Sequence, residues 1–436
     1  MAAEFLRVVI SATPIVRSKT DMKSWISRAL KRVALSALPL SFAIAASAAQ
    51  LDWHVRAPEV LGYPIQFTGL AHGNGIFLAV AYDGTVGTSA DGAQWQFHKV
   101  DVLGGHVLVA YAAGTFVAVD GSTNLFTSPD GTNWVRQRFP DIFDVSKGLS
   151  SAGGAFWLCT YSRVDEARKL YTSTTGTNWI RSTVDFFSLS ASGVYNSVVF
   201  GGGVYVCVGG DTSAPLWGDA PTIVISADRT NWITEWTGVD PWDAADKDGT
   251  SLKCVTYGDN LFVAVGNDNH LYNGGTAGRN IWYSSDGTNW TYELTTFPDL
   301  WSVTYGDGVY AAVGGYQDGA ILTSTDGKQW TAAQIDSTNR LNGIVYGQNT
   351  FVTVGNYGQI YQSDPVVTLK TSGQPGQFLI RAPAGRTCTI EAADSLGETN
   401  TWQSVGGVTI NTNPMTWTDP WATNGLNRFY RVRLEP

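Results

Sequence analysis

A seven-residue pattern, Ser-x-Asp-Gly-x-x-Trp, recurs along the chain and constrains its fold more than any other feature. Intact copies run Ser89–Trp95, Ser128–Trp134, Ser284–Trp290 and Ser324–Trp330, with the carboxylates at Asp91, Asp130, Asp286 and Asp326. Two further copies are altered. Thr175 replaces the Asp between Ser173 and Trp179, and Arg229 replaces the Gly after Asp228, between Ser226 and Trp232. Self-similarity at a period of roughly 40–50 residues belongs to solenoids, arrays and propellers.

The residues between the copies select the propeller. Before Asp326 stand Ser302–Gly308, Val309–Gly314 and Ala320–Ser324, three short runs of β-branched, aromatic and small residues split by glycine-rich turns. That is a strand and hairpin signature. Asp-Gly reads as a tight hairpin with positive φ, and the Trp opens a fourth strand. Four antiparallel strands repeated radially make a propeller blade.

Outer-strand tryptophans number six: Trp95, Trp134, Trp179, Trp232, Trp290 and Trp330. The last repeat, from Gly343 to Asp364, stops at Pro365 without one, while Leu51–Val55 carries an orphan Trp53. The expectation is an all-β, seven-bladed β-propeller of four-stranded blades in which this N-terminal strand completes the last blade. Such pairing leaves no open sheet edge.

The repeated motif resembles the Asp-box (BNR repeat) of the sialidase-like propellers, over about 315 residues from Leu51 to Pro365. The resemblance implies a structural role: Ser and Asp brace the turn between third and fourth strands, and Trp packs between blades. Trp53, Asp91, Trp95, Asp130, Trp134, Trp179, Asp228, Trp232, Asp286, Trp290, Asp326 and Trp330 are therefore assigned to structure.

Residues 1–48 read as a leader. Lys23, Arg28, Lys31 and Arg32 follow Met22, the expected start, and precede the apolar run Val33–Ala45 and the small-residue site Ala46-Ser47-Ala48. This is the layout of a secretory signal peptide, so the mature chain is expected to be secreted or periplasmic, without a membrane span. The whole chain carries 28 Lys and Arg against 37 Asp and Glu, a net −9. Removal of the leader, which holds seven of the basic and two of the acidic residues, leaves −14. That charge argues against nucleic acid as a partner. Cys159, Cys207, Cys254 and Cys388 lack metal spacing and read as small buried hydrophobes. No metal or cofactor is expected.

After Pro365 the repeat stops. Residues 366–436 alternate as six or seven short strands, including Trp402–Val405 and Val408–Asn411, at the spacing of a small β-sandwich. They resemble C-terminal modules of secreted bacterial proteins, which implies an accessory role and a separable unit. Arg428, Arg431 and Arg433 form a basic edge, either a solvated face or a docking surface.

Insertions concentrate in blades three to five, at 161–168, 210–221, 236–248 and 267–279. Elaborated loops on a rigid scaffold are where binding sites gather. Tyr161, Asp165, Trp217, Asp219, Trp242, Asp243, His270 and Tyr272 give this rim an aromatic and acidic character suited to a glycan. The channel mouth is a second candidate. Thr68, Val107, Lys147, Asn196, Lys253, Trp301 and Asn342 hold equivalent places near the starts of the inner strands, and Lys147, Lys253 and Trp301 are suited to an anionic group.

The arginine triad of a sialidase is not in place, Arg340 being its one plausible member. The favoured reading is a monomeric exported binding or scaffold protein whose partner is a glycan or an extracellular protein. The alternative is a carbohydrate-active enzyme, a glycoside hydrolase or lyase using rim carboxylates. Whether the chain is an enzyme stays open at this point, with no catalytic residue assigned.

Overall fold

The computed structural model describes residues 51–56, 65–101, 103–121, 124–138, 144–162, 168–182, 194–210, 221–235, 250–268, 278–337, 339–374, 376–383, 385–393, 402–412, 414–420 and 428–435. The leader at 1–48 lies outside them. Among the described residues no helix is long and apolar enough to cross a membrane.

Seven four-stranded antiparallel sheets follow one another in chain order. Their first strands are Phe67–Gly73, Leu108–Ala112, Asp144–Ala152, Val194–Gly201, Thr250–Gly258, Leu300–Gly306 and Leu341–Gly347. Each first strand touches that of the next sheet, and the seventh touches the first. Alternation explains the packing: side chains of the inner strands point to opposite faces, so every sheet shares a core with both neighbours. Seven such cores exist among the described residues, and each contains either one of the six outer-strand tryptophans or Trp53. Trp95, for example, lies with Phe67 and Phe77 of the first sheet against Val352 and Ile360 of the seventh.

The first and second strands of all seven sheets join through two residues of positive φ, as at Asn74-Gly75 (51° and 75°) and Gln348-Asn349 (49° and 60°). This is the two-residue hairpin whose twist matches its strands. The Asp-Gly positions, read above as such hairpins, are not. There only the Gly, or Arg229 at 71°, has positive φ, and the connection is held by side chains. Asp286 Oδ1 accepts from the backbone N–H of Thr288 and Asn289 at 2.8 Å, Ser284 Oγ accepts from Gly287 N at 2.9 Å, and Trp290 Nε1 donates to Gly287 O at 2.8 Å. In the copy without Asp, Thr175 Oγ1 takes over, accepting from Thr177 N and Asn178 N at 3.3 Å each.

The N-terminal strand behaves as the missing tryptophan implies. Trp53–Val55 pairs antiparallel with Ile360–Ser363, Trp53 opposite Ser363 and Val55 opposite Tyr361. Arg56 N donates to Ile360 O at 2.7 Å, and His54 Nε2 lies 2.7 Å from Asp364 Oδ1.

The tail forms two three-stranded sheets. One contains Thr368–Thr371, Gln377–Arg381 and Met415–Thr418; the other Gln403–Thr409, Thr387–Ala393 and Phe429–Leu434. The two strands expected at Trp402–Val405 and Val408–Asn411 are one, because the Gly406-Gly407 pair continues the ladder opposite Ile390 and Thr389. Arg431 Nε bonds Glu391 Oε2 at 2.6 Å, and Arg428 Nη1 lies 3.3 Å from Asp419 Oδ2. Local carboxylates thus neutralise the basic edge. The tail also shares a core with sheets six and seven: Ile380, Cys388 and Ile390 cluster with Val309, Ile344 and Phe351. Arg386 pairs with Asp259, and Asn349 Nδ2 donates to Val367 O at 2.6 Å. Asp259 and Asn349 belong to first hairpin turns, so the tail covers that end of sheets five to seven.

Candidate functional site

The opposite end, where first strands begin, carries a repeated irregularity. Ladder register shifts at Thr68, Lys147, Asn196, Lys253, Trp301 and Asn342, one β-bulge in each of six first strands. A bulge leaves one residue outside the pairing and re-aims its side chain. These are the channel-mouth positions read from the sequence, with Val107 as the seventh, just before its strand.

Short polar residues at these bulges bind neighbouring sheets together. Thr68 Oγ1 donates to Val107 O at 3.0 Å and accepts from Val107 N at 3.1 Å. Asn196 Nδ2 donates to Leu252 O, and Asn342 Nδ2 to Phe67 O, each at 2.7 Å. The last of these ties sheet seven to sheet one.

Long side chains occupy the other three bulges. Trp301 stands between two cations: Lys253 Nζ is 5.6 Å and Arg340 Cζ 4.6 Å from its ring centroid. Its indole N–H donates to Gly315 O at 3.3 Å, and Lys253 Nζ bonds Ser251 Oγ at 2.9 Å. Arg340 Nε donates to Asn342 Oδ1 at 2.7 Å, which fixes the guanidinium over the indole. Partial burial lowers the Arg340 pKa, yet no carboxylate among the described residues pairs with it.

Lys147 extends this cationic sector, and His106 lies beside it. The His106 pKa is lowered by desolvation first, then by the positive charges of Arg340 and Lys147. The imidazole is exposed, yet its surroundings disfavour its charge. Lys147 is exposed. Three exposed phenols lie at this end too. Tyr82, Tyr316 and Tyr357 (55%, 64% and 59% exposed) each follow the second strand of sheets one, six and seven. Tyr357 holds positive φ at 56°.

Of the rim residues expected from sequence, Tyr161 is half-buried, opposite Val145 and Arg168 in the ladder. Asp165, Trp217, Asp219, Trp242, Asp243, His270 and Tyr272 lie outside the described residues. The structure brings together Lys253 and Trp301 and adds Arg340 to them. His106, Tyr82, Tyr316 and Tyr357 were not anticipated. The usable signal was their place within two residues of a strand end, which shows only once strands are aligned by repeat. Among the described residues no three His, Cys, Asp or Glu side chains gather as a metal site would need.

No protein-family model matches the chain, and no curated protein matches it in sequence. Solved structures match it in fold. A streptogramin B lyase superposes with a TM-score of 0.54 at 9% identity, covering 72% of this chain and 98% of that one. A catalytically inactive virginiamycin B lyase from Staphylococcus aureus with quinupristin gives 0.54 at 9% identity, covering 72% and 99%. YCF48 from Cyanidioschyzon merolae gives 0.50 at 12% identity, covering 72% and 98%. Such identities speak to fold alone, and that fold is the β-propeller.

Proposed function

We propose that this chain is an exported binding or scaffold protein that receives its ligand at the end of the ring where the first strands begin. On this reading the seven sheets are the blades of one Asp-box propeller, residues 49–365, closed by the N-terminal strand. Residues 366–436 are a small β-sandwich accessory module. The cycle of seven cores, each holding Trp53 or one of the six outer-strand tryptophans, supports the blade count. Ring contacts of Phe378 and Trp417 in one tail sheet with Tyr430 in the other, at 4.5 and 6.4 Å, support the sandwich.

One observation carries the choice of site. Where neighbouring bulges hold Thr or Asn as braces between sheets, sheets three, five and six hold Lys147, Lys253 and Trp301. These residues place charge and aromatic surface at the mouth. Trp, Tyr and Arg are the residues that dominate binding energy at interfaces, and Arg340, Tyr316 and Tyr357 stand beside them. The net charge of −14 without the leader by itself favours a neutral or cationic ligand. The cationic mouth instead suits a glycan or protein partner that offers an acceptor group there. The enzyme alternative rests on rim carboxylates that lie outside the described residues.

A glycan array and a pull-down from extracellular protein, both with residues 49–436, test the proposal. Trp301→Ala and Arg340→Ala are each expected to weaken a captured ligand by about 10- to 100-fold, the effect of losing a hot spot, with unchanged melting temperature. Trp217→Ala and Trp242→Ala probe the rim in the same assay. Ligand binding that ignores all four substitutions would move the site elsewhere.

A further inference from the structure

Of the four cysteines, two share one core. Cys159 lies in the second strand of sheet three, Ala155–Ser162, and Cys207 in the second strand of sheet four, Val204–Gly210. They are 1% and 0% exposed, in the single core that these sheets share with Trp157, Tyr195, Tyr205 and Trp232. Within that core Cys159 lies near enough to Cys207 to raise its pKa further across the sheet interface. The other cysteines are differently placed. Cys254 Sγ donates to Val303 O at 3.5 Å, between sheets five and six, and Cys388 is buried in the tail.

Apolar packing explains one buried thiol but not two in one interface, since alanine or valine would fill the same space without reactive atoms. Disulfides that cross a β-sheet core from one sheet to the next are an established solution in other two-sheet domains. We infer that Cys159 and Cys207 are the two halves of a disulfide linking sheets three and four, formed when the chain folds under oxidising conditions. Disulfide exchange with a small-molecule disulfide such as oxidised glutathione supplies the chemistry. One cysteine thiolate attacks the glutathione S–S bond and expels glutathione thiolate. The second thiolate then attacks the mixed disulfide, closing Cys159 Sγ–Cys207 Sγ and expelling a second glutathione. The protein loses two electrons and two protons, and the oxidant gains them.

Burial dictates when this happens. Exchange needs a thiolate in contact with the oxidant, whereas desolvation raises the Cys207 thiol well above its ordinary range. Once sheets three and four have packed, the pair is sealed from the oxidant. The bond must therefore form before the interface closes, and a chain folded in a reducing medium keeps both thiols. The crosslink would join the second strands of sheets three and four and so fix the spacing between them. It does not depend on the ligand-binding proposal.

Residues 49–436 are denatured, reduced and refolded in parallel, in a glutathione redox buffer and in excess reductant. Each sample is then denatured in iodoacetamide without reductant and peptide-mapped. Oxidative refolding is expected to yield a joined Cys159–Cys207 peptide, with Cys254 and Cys388 alkylated in both samples. Oxidatively refolded protein should melt higher than its reduced counterpart, and the Cys159→Ala, Cys207→Ala double variant should lose that difference. Should the chain fail to refold, the same map is made on protein produced with and without export to an oxidising compartment. Alkylation of both Cys159 and Cys207 after oxidative folding, or pairing of either with Cys254 or Cys388, would overturn the inference.

Discussion

At the residue scale the repeated turn shows what a single carboxylate contributes. Asp130, Asp228 and Asp286 are held well below the usual carboxylate range, chiefly by the backbone N–H groups of Asn133, Asn231 and Asn289. A depressed pKa means stability that is present above the ordinary carboxylate value, about 4, and is lost as pH falls through the lower folded value. These side chains face water, so each effect is small; the repetition makes it cumulative. Asp286→Ala is expected to cost about 1–2 kcal/mol, as other lost side-chain caps do. Trp290→Ala should cost about 3 kcal/mol, the lower end for large aromatics because the ring is only half-buried. Urea titrations at pH 7 check both, and repeating the Asp286→Ala titration near pH 2 should show its deficit shrinking. The repeat was legible because Ser, Asp and Trp are needed together. The exact turn was not, because Asp-Gly serves several turn types and only Gly here takes positive φ.

At the element scale the seam between sheets seven and one differs from its counterparts. Near the end of the first strand, an aromatic ring lies over a glycine of the preceding sheet: Tyr111 on Gly73, Tyr257 on Gly201, Tyr305 on Gly258 and Tyr346 on Gly306. At the seam the partner of Gly347 is His72, where a Cβ on the glycine would fall 2.4 Å from the imidazole. Burial alone lowers the His72 pKa, and its buried Nε2 has no hydrogen-bond partner. Its contribution to stability is full above its ordinary value of about 6.5 and lost as pH falls through the lower folded value. His72→Tyr should therefore flatten the fall in melting temperature between pH 7.5 and pH 5. His106, lowered in the same direction, stays in both proteins, so the difference isolates the seam. Equal slopes would show that the seam does not titrate. Deleting 51–56 tests the same closure from outside, because it uncovers the edge of Ile360–Ser363 and should promote aggregation. That strand could be read from a missing tryptophan. The His72 seam could not, since a histidine in one of seven equivalent positions looks like ordinary variation until the glycine beneath it is known.

At the scale of the whole molecule, the tail covers one end of sheets five to seven, and this limits where function can reside. The tail reads in the sequence as a separable module because repeat grammar stops at Pro365 and its own strands alternate independently. What the sequence does not display is docking, which depends on residues scattered through three sheets and the tail. Arg386 reaches Asp259, and Tyr305 stands beside that pair; a Cβ on Gly308 would meet Pro383 at 3.3 Å. Tail residues Val366, Ile380, Cys388 and Ile390 share their core with Val309, Ile344 and Phe351. Truncation after Pro365 should thus leave seven sheets able to form but strip apolar cover from sheets six and seven. The expected result is a melting temperature lower by about 5 °C or more, with increased binding of a hydrophobic dye. Ligand binding at the mouth, on the other end of these sheets, should survive in the fraction that stays folded. A truncated chain that melts like the parent would mean that the shared core contributes nothing, and the tail would then be the independent attachment that its sequence resembles. A chain that keeps its melting temperature but loses its ligand would place the binding surface on the tail and leave the cationic mouth without a role.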